Sequence, residues 1–229
     1  MTNDTIFHTL KEIDQGILTT VNFNGPDAYS LFWSLYTDRF TWLPLAVVVL
    51  FYLLRRGGWR NALLLCVSVT VMFLLSDFAV ASIIKPLVAR LRPSHAPGIM
   101  DTLHYYRGYR GGMFGFPSNH ASNGFASATL LLLLFRRHTT TVCAFLWAAG
   151  SCYSRLYLGV HYPTDILFGA LLGTLSAALA YLLYKKSYQR VASRWPMPPF
   201  ATDYRQQEPW GIAVVFLLTI TVLAAVALA

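Results

Sequence analysis

Six long apolar runs, at residues 40–54, 61–84, 121–135, 140–153, 166–184 and 211–229, leave this chain few folds to choose from. A helix needs about 20 apolar residues to cross the hydrocarbon of a bilayer. With no water there to satisfy backbone groups, only helices or closed barrels can span it. The runs predict an all-α integral membrane bundle of six transmembrane helices. The first, third and fourth are short, so their helices must borrow flanking residues or be shielded by protein. Only 12% of the 229 residues are charged, against about a quarter in an ordinary soluble domain. Trp42, Trp59, Trp195 and Trp210 stand at run ends, where interfacial aromatics belong.

The formal charge of +8 does not argue for nucleic acid, because the basic residues fall in short clusters between apolar runs. Ten of the eighteen lie in three alternate connections: Arg55, Arg56 and Arg60; Arg136 and Arg137; Lys185, Lys186, Arg190, Arg194 and Arg205. The positive-inside rule makes that side cytoplasmic, so both termini and the segments 83–120 and 154–165 should face outward. Residues 1–39 read as an N-terminal interfacial segment ahead of a membrane domain at 40–229. Ile6, Phe7, Leu10, Ile13, Ile17 and Leu18 have the spacing of a helix lying on the outer surface. No charged n-region precedes an apolar core there, so no signal peptide is expected. Residues 194–209, with four prolines, read as an irregular linker. Cys66, Cys143 and Cys152 lie inside apolar runs without CxxC spacing and read as small buried hydrophobes.

Three fragments at the edges of these runs carry the chemistry. Lys85 and Arg92 stand seven apart and would point the same way if the segment stays helical to Pro93. Alone, that pair reads equally as a juxtamembrane patch for anionic lipid. Pro117-Ser118-Asn119-His120 opens a Leu-rich helix, with Ser118 as its N-cap and first-turn N–H groups free for an anion. A simple cap explains Ser118 but not His120. Ser154-Arg155 is followed by His161 and Asp165, whose spacing of four lets the carboxylate fix the tautomer of the imidazole. Asp77 lies inside a run, where an acid is a site candidate or the anchor of a polar group. Residues 105–110 form an aromatic–basic loop, read as an interfacial anchor or as a lid over a head group.

These fragments resemble the signature of the type 2 phosphatidic acid phosphatase (PAP2) family, which shares its fold with vanadium haloperoxidases. The family pattern is KxxxxxxRP, then PSGH, then SRxxxxxHxxxD. This chain matches at Lys85, Arg92, Pro93, Pro117, Ser118, His120, Ser154, Arg155, His161 and Asp165, with every internal spacing kept. Asn119 replaces the usual glycine, which should narrow the pocket there while leaving a backbone N–H for phosphate. The resemblance implies that His161 is the nucleophile, oriented by Asp165, and that His120 protonates the leaving oxygen and later activates water. It also implies that Lys85, Arg92, Ser118, Asn119 and Arg155 hold the phosphoryl oxygens. Neither metal nor cofactor is implied, since cationic side chains fill that role.

The expected function is therefore a lipid phosphatase of the bacterial inner membrane, its site open to the periplasm or exterior, working through a phosphohistidine. Undecaprenyl diphosphate is the favoured substrate. Phosphatidylglycerophosphate, phosphatidic acid and lipid A phosphates are alternatives. A lipid-binding or transport protein on the same fold is the rival from another class, opposed by the intact His120, His161 and Asp165. A haloperoxidase is opposed by the membrane runs.

Overall fold

A computed structural model describes residues 3–38, 40–55, 58–196 and 209–229, with side chains of the first helix described from Thr9 onward. Arg56, Arg205 and most of the expected 194–209 linker lie outside the described residues, as do the side chains of Ile6 and Phe7. Each apolar run sits in a helix. After α1 (Asn3–Val21) and α2 (Asp27–Tyr36) come α3 (Leu43–Arg55) and α4, which starts as Gly58–Phe73. Helix α4 continues through two π-helical turns, Leu74–Phe78 and Val80–Ile84, to a last turn at Lys85–Val88. Then follow α5 (Asn119–Phe135), α6 (His138–Tyr157), α7 (Pro163–Ala192) and α8 (Trp210–Leu228). Among the described residues three stretches are long and apolar enough to cross a membrane: Trp59–Val88, Pro163–Ala192 and Trp210–Leu228. Helix α3 is shorter than a span, so the count of six stays an expectation.

Helix α5 is the centre of the bundle, packed against α7 and α6, and α7 packs in turn on α4. Small residues permit this closeness. In Gly169-Ala-Leu-Leu-Gly173, a Cβ added at Gly169 would stand 3.0 Å from the Ala121 Cβ, and one at Gly173 would collide with the Ser122 carbonyl. Such a Gly-xxx-Gly pair lets helix backbones approach where lipid offers no hydrophobic driving force. It also seats α7 directly on the first turns of α5. Gly173→Val should push the two helices apart and lower the melting temperature of the solubilised protein, with loss of activity; overpacking commonly costs about 1–3 kcal/mol. An unchanged melting curve would refute this packing argument.

Two expectations need correction. Trp42 does not stand free at an interface: it is buried, stacked on Phe216 and edge-on to Tyr36, and its Nε1–H donates to the Tyr36 carbonyl at 2.7 Å. Trp59, Trp195 and Trp210 are exposed. Of the three free cysteines only Cys152 is buried, and Cys66 faces outward. Helix α1 and the end of α8 both meet the loops around the start of α7. Asp14 of α1 bonds Thr164 at the start of α7, and Ala227 shares a cavity of about 380 Å³ with Asp27 and His104.

Candidate active site

The segment after α4 does not stay helical to Pro93. Ala89 takes a left-handed conformation (φ 50°), ending the helix at Val88, and Arg92 is extended. Lys85 and Arg92 therefore reach the same place from different elements, Lys85 from the last turn of α4 and Arg92 from a loop. That loop is pinned by a short antiparallel pairing with residues 113–115: Arg92 N–H donates to the Met113 carbonyl and Gly115 N–H to the Arg90 carbonyl, both at 2.9 Å. A Cβ at Gly115 would stand 2.9 Å from Asp165 Oδ2 and 3.2 Å from Arg92 Cγ, so the pairing is tight enough to need glycine.

From this loop Arg92 Nη1 donates to His161 Nε2 at 2.8 Å and to the Val160 carbonyl at 3.0 Å. On the other side of the ring, His161 Nδ1 lies 3.3 Å from Asp165 Oδ2. Arginine can only donate, so these bonds assign the proton to Nδ1 and leave the Nε2 lone pair facing the guanidinium. His161 is fully buried. Burial, then the charges of Arg92, Lys85 and Arg155, hold its pKa well below the ordinary histidine value, with a hydrogen bond donated by the ring to the Gly115 backbone opposing. A neutral imidazole with a free Nε2 is the form able to attack phosphorus. A phosphate drawing Arg92 onto its own oxygens would uncover that lone pair.

Asp165 is buried in the first turn of α7, where its Oδ2 also accepts from Tyr162 N–H at 3.0 Å. Ser118 is the N-cap of α5: its Oγ accepts from Ala121 N–H at 3.4 Å and its own N–H donates to the Asp165 carbonyl at 2.9 Å. The Ser118 hydroxyl proton and the N–H groups of Asn119 and His120 remain for an anion. His120 is exposed on the same turn, yet desolvation by its surroundings, then the charges of Arg155, His161, Arg92 and Lys85, push its pKa down to about 3, and the negative charge of a bound phosphate would oppose that shift. Arg155 is buried, with Nη1 3.4 Å from the Tyr109 hydroxyl. Arg155 Nε and Nη2 and Arg92 Nε are buried donors with no acceptor among the described residues. Buried donors are normally satisfied, and a tetrahedral oxyanion between these two guanidinium groups would satisfy them.

The Asn119 side chain turns away from this cluster. Its amide donates to Asp77 Oδ1 at 2.9 Å and to the Asp77 carbonyl at 3.1 Å, while Asn123 donates to the same Oδ1 at 2.8 Å. Asp77, in the first π turn of α4, is thus the anchor of polar side chains on α5. Asn119 keeps only its backbone N–H for phosphate. In the 105–110 loop, Tyr109 belongs to the site wall through Arg155, and Arg110 stacks on Tyr105 at 4.7 Å.

The sequence reading missed Arg90, Asp14 and Thr164. Arg90 Nη1 donates to Asp165 Oδ1 at 2.9 Å and its Nη2 to Asp14 Oδ2 at 2.6 Å. Arg90 fills a position that the first motif leaves open, and Asp14 lies far outside the three motif blocks. Among the described residues no three His, Cys, Asp or Glu side chains converge as a metal site.

A family model described as the PAP2 superfamily matches residues 61–189. The lipid A 4′-phosphatase of Bacteroides thetaiotaomicron is 36% identical over 200 residues, covering 87% of this chain and 89% of its own. The lipid A 4′-phosphatase of Porphyromonas gingivalis is 32% identical over 80% of this chain and 76% of its own. The crystal structure of a transmembrane PAP2-type phosphatidylglycerolphosphate phosphatase from Bacillus subtilis aligns with a TM-score of 0.56, at 22% identity, over 85% of this chain and 90% of its own. At that identity the likeness shows the fold alone.

Proposed function

The chain belongs to the PAP2 superfamily and is a membrane phosphatase of that type; from this premise we propose that it removes the 4′-phosphate of a lipid A-like glycolipid. The observation that carries the substrate is the similarity to lipid A 4′-phosphatases along nearly the whole length of both chains. Undecaprenyl diphosphate, favoured by the sequence reading, gives way to lipid A on this ground. The site suits a sugar-borne phosphate: Tyr109 sets an aromatic ring beside Arg155, whose guanidinium lies 5.7 Å from the ring centre.

In the proposed reaction His161 Nε2 attacks phosphorus and the bond to the sugar oxygen breaks. His120 gives that oxygen its proton. Water, deprotonated by His120, then cleaves the phosphohistidine to free phosphate. Lys85, Arg92, Arg155, Ser118 and the Asn119 N–H hold the equatorial oxygens as charge spreads onto them. We place the site on the outer face of the inner membrane, as the alternating basic connections indicate. A reporter fused after Arg137 that read external would overturn this. Helix α1 is assigned to the membrane surface, with Leu10, Ile13 and Ile17 exposed on one side of it.

Phosphate release should be fastest with 4′-phosphorylated lipid A in a panel with phosphatidic acid, phosphatidylglycerophosphate and undecaprenyl diphosphate. It should survive excess EDTA, because the cations of the site are its own side chains. Preference for the polyprenyl diphosphate would sink the substrate assignment. Loss in EDTA that Mg²⁺ restores would sink the metal-free mechanism.

A further inference from the structure

We propose that Asp14, on the N-terminal helix, is a positioning residue of the reaction: through Arg90 and Thr164 it holds the Asp165 carboxylate in the pose that orients His161. The proposal rests on the reading of His161 as nucleophile.

Asp165 divides its two oxygens. Oδ2 serves His161 and the Tyr162 N–H, whereas Oδ1 is held by Arg90 Nη1 at 2.9 Å. The Arg90 fork is filled at its other end by Asp14 Oδ2 at 2.6 Å, and its plane lies over the Tyr162 ring at 4.3 Å. Thr164 closes the circuit. Its N–H donates to Asp14 Oδ1 at 3.0 Å, and its hydroxyl accepts from Arg90 Nη1 at 2.6 Å and donates to Asp14 Oδ2. Gln15 adds a hydrogen bond to the Tyr162 side chain. Tyr162, Thr164 and Asp165, at the start of α7, are therefore each gripped from α1 or by a group that α1 holds.

The burial pattern of α1 argues that this contact is more than packing. Leu10, Ile13 and Ile17 are about half exposed, while Asp14 is 2% exposed and Leu18 fully buried. With Leu10, Ile13 and Ile17 turned to the membrane surface, a helix packing for stability alone would set only apolar residues such as Leu18 against the protein, because a buried carboxylate is costly unless paired. Here an acid is buried on the same side as Leu18. Its pairing also has an electrostatic use. Arg90 alone would neutralise Asp165 and compete with His161 for it. With Asp14 on the far side of the fork, the trio of two carboxylates and one guanidinium keeps one net negative charge. That charge lies against Nδ1 while the ring becomes cationic on bonding phosphorus. None of the three groups is placed on the phosphate, so their loss should lower turnover rather than substrate affinity.

The test uses the full chain in detergent micelles, with phosphate release from dispersed phosphatidic acid normalised to the folded, monodisperse fraction. Asp14→Asn, nearly isosteric, should lower kcat about 10–100-fold, the usual effect of removing a group that orients a reacting residue, with KM within about threefold. Arg90→Gln should do the same, and Asp14→Asn with Arg90→Gln should lose no more than Arg90→Gln alone. Thr164→Val should lower kcat while Thr164→Ser restores it, and this pair decides the matter if Asp14→Asn does not fold. Wild-type kcat in folded Asp14→Asn or Thr164→Val, or losses that multiply in the double variant, would overturn the proposal. An active His161→Ala would instead sink the nucleophile assignment, so the two failures are told apart within one series.

Discussion

His161→Ala is expected to lose about 10³-fold or more in kcat, as removal of a nucleophile commonly does, and the wild-type enzyme quenched in mid-turnover should carry an acid-labile phosphohistidine. The expectation follows from the bonding of the ring. Asp165 and Arg92 take opposite nitrogens, which leaves one tautomer and one lone pair, with Arg92 as the group that a phosphate must draw aside. No other described side chain combines that burial with that orientation. Near-normal phosphate release by His161→Ala, with His120→Ala inactive, would show the roles to be exchanged.

His120→Ala should separate by leaving group. His120 is exposed on the first turn of α5, within reach of the charges that bear on His161 but outside the Asp165 network. A general acid is worth about 10²–10⁴-fold, and that factor should be lost in full with a sugar or glycerol leaving oxygen. With p-nitrophenyl phosphate the leaving oxygen needs no proton, so the first step should be nearly spared. The second step still lacks its base. The variant should then release a burst of p-nitrophenolate and accumulate phosphoenzyme. Equal losses on both substrates without a burst would rule out this role.

Much of this architecture could be read from the chain because its causes are local. Apolar length marks the helices, and the runs at 61–84, 166–184 and 211–229 lie in those long enough to cross a bilayer. Ser118 announces a helix start and caps one. The spacing from His161 to Asp165 puts the two side chains in contact around the beginning of α7. What escaped has causes distant in sequence or hidden in ordinary residues. Asp14 and Thr164 are 150 positions apart, and no periodicity links them. The turn at Ala89 is left-handed without glycine, a conformation that few non-glycine residues adopt, so a seven-residue spacing that fits two helical turns gave a false helix. Trp42 looked interfacial because it ends an apolar run, yet α2 and α8 fold over it, which composition cannot show. The substrate left no mark in the motifs for a different reason: in the proposed reaction the three blocks bind the phosphate, which every candidate lipid shares.

An empty site is the less stable one in this protein. Arg92 Nε and Arg155 Nε and Nη2 are buried without an acceptor among the described residues, and each buried donor left without a partner costs about 1–3 kcal/mol. An oxyanion that fits relieves that cost in the folded state only, and by mass action a ligand at a hundredfold excess over its Kd adds about 2.7 kcal/mol of stability. Inorganic phosphate, the product of the proposed reaction, is such an anion. The melting temperature of the purified protein thus becomes a gauge of head-group fit. It can rank phosphorylated sugars against phosphorylated glycerols in plain buffer, with no lipid tail to disperse and no turnover to follow.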